Sequence, residues 1–180
     1  MKPIGPLMRE HRLIERMVAS LNKELKQINE KNEADVELLT VAVDFFRTYA
    51  DRTHHGKEED ILFRELAKKH LSKEHERIMN ELVAEHVLAR KTVSALVNAK
   101  NNYSGGNSES LKDIITYVRE LVNFYPAHIE KEDKHFFYPV LEYLNKKEQD
   151  DMLEEFWEFD RMLIHEKYQN IVEGLETRKY

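Results

Sequence analysis

The chain has 180 residues, 34% of them charged, and a formal net charge of −6. That acidic balance argues against nucleic acid as a partner, while no apolar run reaches the roughly 18 residues of a membrane span and "MKPIGPLMREH" lacks a signal-peptide apolar region, so a cytoplasmic protein with no membrane partner is expected. There is no cysteine, which removes disulfides, thiolate metal sites, iron–sulfur clusters and cysteine nucleophiles together; any metal must be held by nitrogen and oxygen, and nine histidines supply the nitrogen.

The first helix follows Pro3 and Pro6 and runs to about Asn29. Its seam, Leu7, His11, Ile14, Val18, Leu21, Leu25 and Ile28, alternates steps of four and three. After the polar "NEKNEAD" a second helix runs from about Asp35 to Lys69, with Leu39, Val43, Phe46, Ala50, His54, Glu58 and Ile61 facing inward. A short break near "HLSKE" precedes the third, whose seam is Met79, Leu82, His86, Ala89, Val93 and Leu96. "NNYSGGNSES" is the clearest loop. Ser110 with Asp113 reads as a capping box opening the fourth helix, whose seam is Leu111, Ile114, Val118, Leu121, Tyr125, His128, Glu132 and His135. Pro126 is expected to bend this helix near His128, Pro139 marks its frayed end, and a fifth helix runs from about Lys147 to Leu175. Four long helices with short connections predict an all-α fold. The expected architecture is an up-down antiparallel four-helix bundle over about 4–144, with an additional C-terminal helix packed outside it, all in a single domain, 1–180.

A weak duplication runs through the chain. "EHRLIERMVASL" (10–21) resembles "EHVLARKTVSAL" (85–96), and "HHGKEEDILF" (54–63) aligns without gaps to "HIEKEDKHFF" (128–137). His11 and His86 are 75 positions apart, while His54 to His128 and Glu58 to Glu132 are each 74. Each half is thus a helix with one seam histidine followed by a helix with a seam His-x-x-x-Glu. All six residues fall on apolar seams, and an unpartnered buried charge costs several kcal/mol or neutralises itself. Six such groups from four helices satisfy one another only around added positive charge. A dinuclear metal site supplies it, with the imidazoles end-on and Glu58 and Glu132 bridging.

The doubled H…HxxxE pattern resembles the hemerythrin-like family, also named the HHE cation-binding domain, over roughly Ile4 to Leu144. The resemblance implies a non-haem di-iron centre at His11, His54, Glu58, His86, His128 and Glu132 that meets O2, NO or peroxide. The preference for two iron ions rests on the resemblance alone, since the ligand types suit manganese and zinc as well. The oxygen-carrying branch has a further histidine one turn before the third-helix ligand, where this chain has Leu82. Four histidines and two bridging glutamates supply about eight of the roughly twelve bonds two octahedral ions take, and an open site favours reaction over reversible carriage. The resemblance is therefore closer to the branch associated with iron handling and repair of damaged iron centres. A reversible O2 carrier or sensor is the second reading. A metal-free helical interaction module is the third, and it leaves buried Glu58 and Glu132 unexplained.

Other polar residues read as bystanders. His55 points about 100° off the seam on an α-helix, and Glu59 and Glu15 are likewise off-seam. His135 completes Glu132-x-x-His135 as a structural neighbour of the site. His70 and His75 sit near a helix break as solvated groups, and His165 lies on the added helix. Tyr49, Tyr117 and Tyr125 read as core aromatics.

Overall fold

The computed structural model describes the backbone of residues 2–176 and the side chains of residues 2–163 and 167. Helix α1 spans Ile4–Lys31 and ends where Asn32 turns left-handed (φ 54°), its N–H returning to the Ile28 carbonyl. Helix α2 (36–66) opens over Val36–Phe45, capped by the Asp35 carboxylate, which accepts from the Glu37 and Leu38 N–H groups. It continues through two π-helical stretches, Phe46–His55 and Glu58–Phe63, to Arg64–Leu66. Helix α3, Lys73–Ser104, is capped by Ser72, whose hydroxyl accepts from the His75 N–H. Helix α4 (111–140) begins as Leu111–Lys131, turns π-helical over Glu132–Phe136 and closes with Phe137–Val140. Pro126 lies inside it without ending it. Helix α5 is Lys146–Glu176. Among the described residues there is no strand, and no helix is long and apolar enough to cross a membrane.

The capping box expected at Ser110 does not form. Ser110 is buried and makes no side-chain cap; Asn107 instead accepts from the Glu109 N–H and starts a single 3-10 turn, Ser108–Ser110, that leads into α4.

Two apolar clusters show how the rods run. One takes the end of α1 (Ile14 to Ile28), the start of α2 (Leu39 to Ala50), the end of α3 (Val93 to Ala99) and the start of α4 (Leu111 to Ile129). The other takes the start of α1 (Ile4, Leu7), the end of α2 (Ile61 to Leu66), the start of α3 (Ile78, Leu82) and the end of α4 (Phe136 to Val140). Consecutive helices cross from one cluster to the other in alternating directions, which is an antiparallel bundle. Between the clusters each helix is interrupted by polar residues at one level: His11 on α1, His54 and Glu58 on α2, His86 on α3, His128 and Glu132 on α4.

Helix α5 packs against the π-helical part of α2. Met152 and Phe156 join the second cluster, whereas Trp157 and Met162 stay exposed. Arg64 forks onto Glu155 at 2.8 Å, and Lys69 donates to Glu148 at 2.6 Å. The approach is closest at Gly56, where an added Cβ would stand 2.7 Å from the Phe159 ring. Gly56→Leu keeps a good helix former but drives a side chain into that ring, so it should cost about 1–3 kcal/mol by overpacking. A thermal melt of the variant that matches the parent would show that α5 is not seated there.

Candidate metal centre

The π-helical turns decide which side chains reach the middle of the bundle. Their i→i+5 hydrogen bonds place an extra residue in the turn, so two neighbouring side chains share the inward arc. His54 and His55 are both 1% exposed, and the His55 ring stacks on His86 with centroids 3.8 Å apart. The expectation that His55 points away from the seam assumed α-helical turns and is corrected here. The same effect in α4 turns His135 outward to solvent, while Phe136 and Phe137 take the interior.

Seven residues converge. Ligand-capable atoms of His11, His54, Glu58 and Glu132 lie within 4.8 Å of one another, and so do those of His55, His86 and His128. The carboxylates span the two groups. Glu58 presents one oxygen 3.4 Å from His54 Nε2 and the other 3.4 Å from His86 Nε2. Glu132 presents one oxygen 3.1 Å from His11 Nε2 and the other 3.4 Å from His128 Nε2 and 3.8 Å from His86 Nε2.

None of these approaches is aligned as a hydrogen bond. All five Nε2 atoms and all four carboxylate oxygens are buried without a hydrogen-bond partner, where each such atom costs about 1–3 kcal/mol. The outer nitrogens are treated differently. His11 Nδ1 meets Asp133 at 2.7 Å, His54 meets Glu10 at 2.9 Å, His55 meets Asp51 at 3.4 Å, His86 meets Glu59 at 2.7 Å and His128 meets Glu85 at 2.7 Å. Each of these acids is in turn held by a cation: Asp133 by Arg12, Glu10 by the fully buried Lys57, Asp51 and Glu59 by Arg90, Glu85 by Lys131. A proton held between Nδ1 and its carboxylate leaves the Nε2 lone pair facing inward, the form in which imidazole binds a cation. Nine inward ligand atoms around one spot, none with a hydrogen-bond partner among the described residues, are a donor set that could hold a metal ion.

The charge balance agrees. Burial and the adjacent Glu132 hold the Glu58 carboxyl well above its ordinary range. For Glu132 burial is outweighed by His128, His11 and His86, which hold it well below. Burial depresses His54 to about 4, and burial with His86, His54 and His128 nearby depresses His55 well below its ordinary value. At His11 burial is overcome by Asp133 and Glu132, which raise it to about 9. Without a cation the cluster therefore holds protons in place of one.

The remaining expectations divide. Glu59 is off-seam yet anchors His86, and Glu15 is half-buried and pairs with Arg12, away from the cluster. His70 is exposed, while His75 is half-buried against the Tyr143 hydroxyl at 2.9 Å. Tyr125 is buried, and Tyr49 and Tyr117 pack at the edge of the first cluster. The side chain of His165 lies outside the described residues. Leu82 is fully buried in the second apolar cluster, and the nitrogen missing there arrives from α2 as His55, so counting only four histidines understates the donors.

The outer carboxylates were not singled out from the sequence, although the repeat carries them. "EH" supplies Glu10 and Glu85, "KEE" and "KED" supply Lys57 with Glu59 and Lys131 with Asp133, and each pair does equivalent work in its own half. Only Asp51 and His55 lack a counterpart, since Ile129 stands opposite His55.

The family model for the hemerythrin HHE cation binding domain matches residues 2–91, half of the chain. No curated protein and no solved structure matches.

Proposed function

The chain belongs to the hemerythrin HHE cation-binding family, and from that premise we propose that it is a non-haem di-iron protein that binds or reacts with O2, NO or peroxide, in iron handling or repair of damaged iron centres. The observation that carries the reading is the set of nine buried inward donors with no other partner. His11 and His54 would hold one ion and His55, His86 and His128 the other, with Glu58 and Glu132 shared. Bound iron would supply redox change and Lewis acidity toward a small ligand. The chain's own part is to fix each imidazole through its outer carboxylate, to exclude water from the cluster, and to leave donors short of the roughly twelve that two octahedral ions take.

The three-to-two division of histidines leaves the His11–His54 half the more open. Reversible O2 carriage is the second reading, and His55 favours it, because it restores a fifth histidine. The two separate on exposure of reduced iron-loaded protein to O2. A carrier gives a coloured adduct that reverses under vacuum, and a reactive centre oxidises without recovery.

Two ions should bind per chain, by elemental analysis after anaerobic loading; one tight ion, or none, would sink the dinuclear reading. Loading should also depend on pH. His11, raised against its burial to about 9 by Asp133 and Glu132, carries a proton in the metal-free protein that a bound ion displaces. Proton uptake belongs to the unloaded state, so affinity should climb with rising pH, by up to about tenfold per unit from 7, and flatten toward 9. Calorimetric titrations in buffers of different ionisation enthalpy measure the released protons, and a release of none contradicts the assignment.

A further inference from the structure

A cavity of about 100 Å³ lies beside the cluster, between α2, α3 and α4. Arg47 and Ser94 form its exposed rim, and His55 and Tyr125, both buried, form its floor. Asp51 and Arg90 stand across the opening. Arg90 donates to Asp51 and to Glu59, each at 2.7 Å. Tyr125 is buried and lines the cavity together with His55, so its phenol is a polar group on the wall next to the cluster. His55 has the longest outer contact of the five histidines, 3.4 Å against 2.7–2.9 Å for the rest.

We propose that this cavity is the port through which a small molecule reaches the cluster from the three-histidine side, with the Arg90–Asp51 pair as its gate and the Tyr125 hydroxyl as its first hydrogen-bonding group. The volume sets the ligand class. Water takes about 30 Å³ and a dry cavity of about 150 Å³ holds benzene, so a pocket of about 100 Å³ favours ligands of about three non-hydrogen atoms over larger ones. Diatomics, peroxide and azide fit. Ring-sized organic substrates are disfavoured. The proposal rests on the di-iron reading of the neighbouring residues.

Ser94 touches neither the cluster nor its carboxylates, so Ser94→Trp plugs the rim alone. Stopped-flow mixing of azide with iron-loaded protein should show association and dissociation both slowed about tenfold, with Kd and the visible spectrum unchanged. A plug raises the barrier and leaves both end states alone. Leu13→Trp, on the exposed face of α1, should leave both rates as they are. Equal rates in Ser94→Trp and parent would overturn the port, and imidazole binding as fast as azide would overturn the size limit. A second measurement needs no metal. Xenon pressed onto the metal-free protein should shift the methyl resonances of Ala89 and Val93, which line the cavity, and unmoved resonances would also overturn the port. A chain that admits xenon there but takes up no iron sinks the di-iron reading while supporting the port.

Discussion

Saturating iron should raise the melting temperature by about 8–16 °C for a single occupied site. Ligand at a thousandfold excess over Kd adds about 4 kcal/mol to a native state that alone binds it, and in a chain of this length each kcal/mol moves Tm by about 2–4 °C. Glu58→Leu gives the test its sharpest form. In the metal-free protein Glu58 is a fully buried acid whose two oxygens have no hydrogen-bond partner, and a leucine of similar size removes that cost. Metal-free Glu58→Leu should therefore be more stable than the parent by about 1–3 kcal/mol, yet gain almost nothing from iron. His86→Ala should also erase most of the iron increment, but it opens a cavity and melts lower from the start. Differential scanning calorimetry of the three proteins, with and without iron, decides it. If Glu58→Leu keeps the full increment, Glu58 is not a shared ligand.

His55→Leu should cost at least about a hundredfold in affinity for the second ion while sparing the first, because it strips a nitrogen from the group with His86 and His128 only. Loss of an outer partner alone weakens a metal site by about 10–100-fold, and loss of the ligand itself should exceed that. Asp51→Asn, which loosens the His55 anchor and leaves the ring in place, should fall in that milder range. Stepwise anaerobic iron titration followed by absorption resolves the two equivalents. Two ions bound by His55→Leu with parental affinity would make His55 a stacked core histidine, and the open site expected from Leu82 would return.

The seam periodicity located four of the five inward histidines and both carboxylates, because three- and four-residue steps follow the apolar stripe wherever the turns are α-helical. Within the π-helical stretches it placed His54, Glu58 and Glu132 inward but missed the neighbouring position that the wider turn also brings in or sends out. His55 and His135 lie in π-helical stretches, and no residue type announces an i→i+5 turn; the wider turn is stable only in the folded bundle, where the inward groups find their place. The bundle, its loops and α5 follow from patterning, and α5 begins at Lys146, within a residue of its expected start. Ser110 failed as a cap for a local reason: Asn107, three residues earlier, took the role and a 3-10 turn buried the serine. The outer carboxylates were legible in the repeat, but on a helical wheel Glu10, Glu59, Glu85 and Asp133 look like solvated charge. What separates them from the other acids is the helix they face, which one strand of sequence does not display.

The crossed pattern of outer carboxylates bears on how the protein is made. Asp133 anchors His11 across 122 positions, and Glu85 anchors His128 across 43. A nascent chain thus exposes His11 long before Asp133, which aims it, and exposes His54, His55 and Glu58 before His86, His128 and Glu132, which complete the set, leave the ribosome. No fragment on the way out has the finished donor set, and its α1–α2 hairpin offers iron only a loose, water-filled clutch of ligands. Tight capture must wait until α4 docks, after most of the chain has been synthesised. The arrangement thereby defers tight metal binding to the folded bundle and keeps the ion off an unfinished polypeptide.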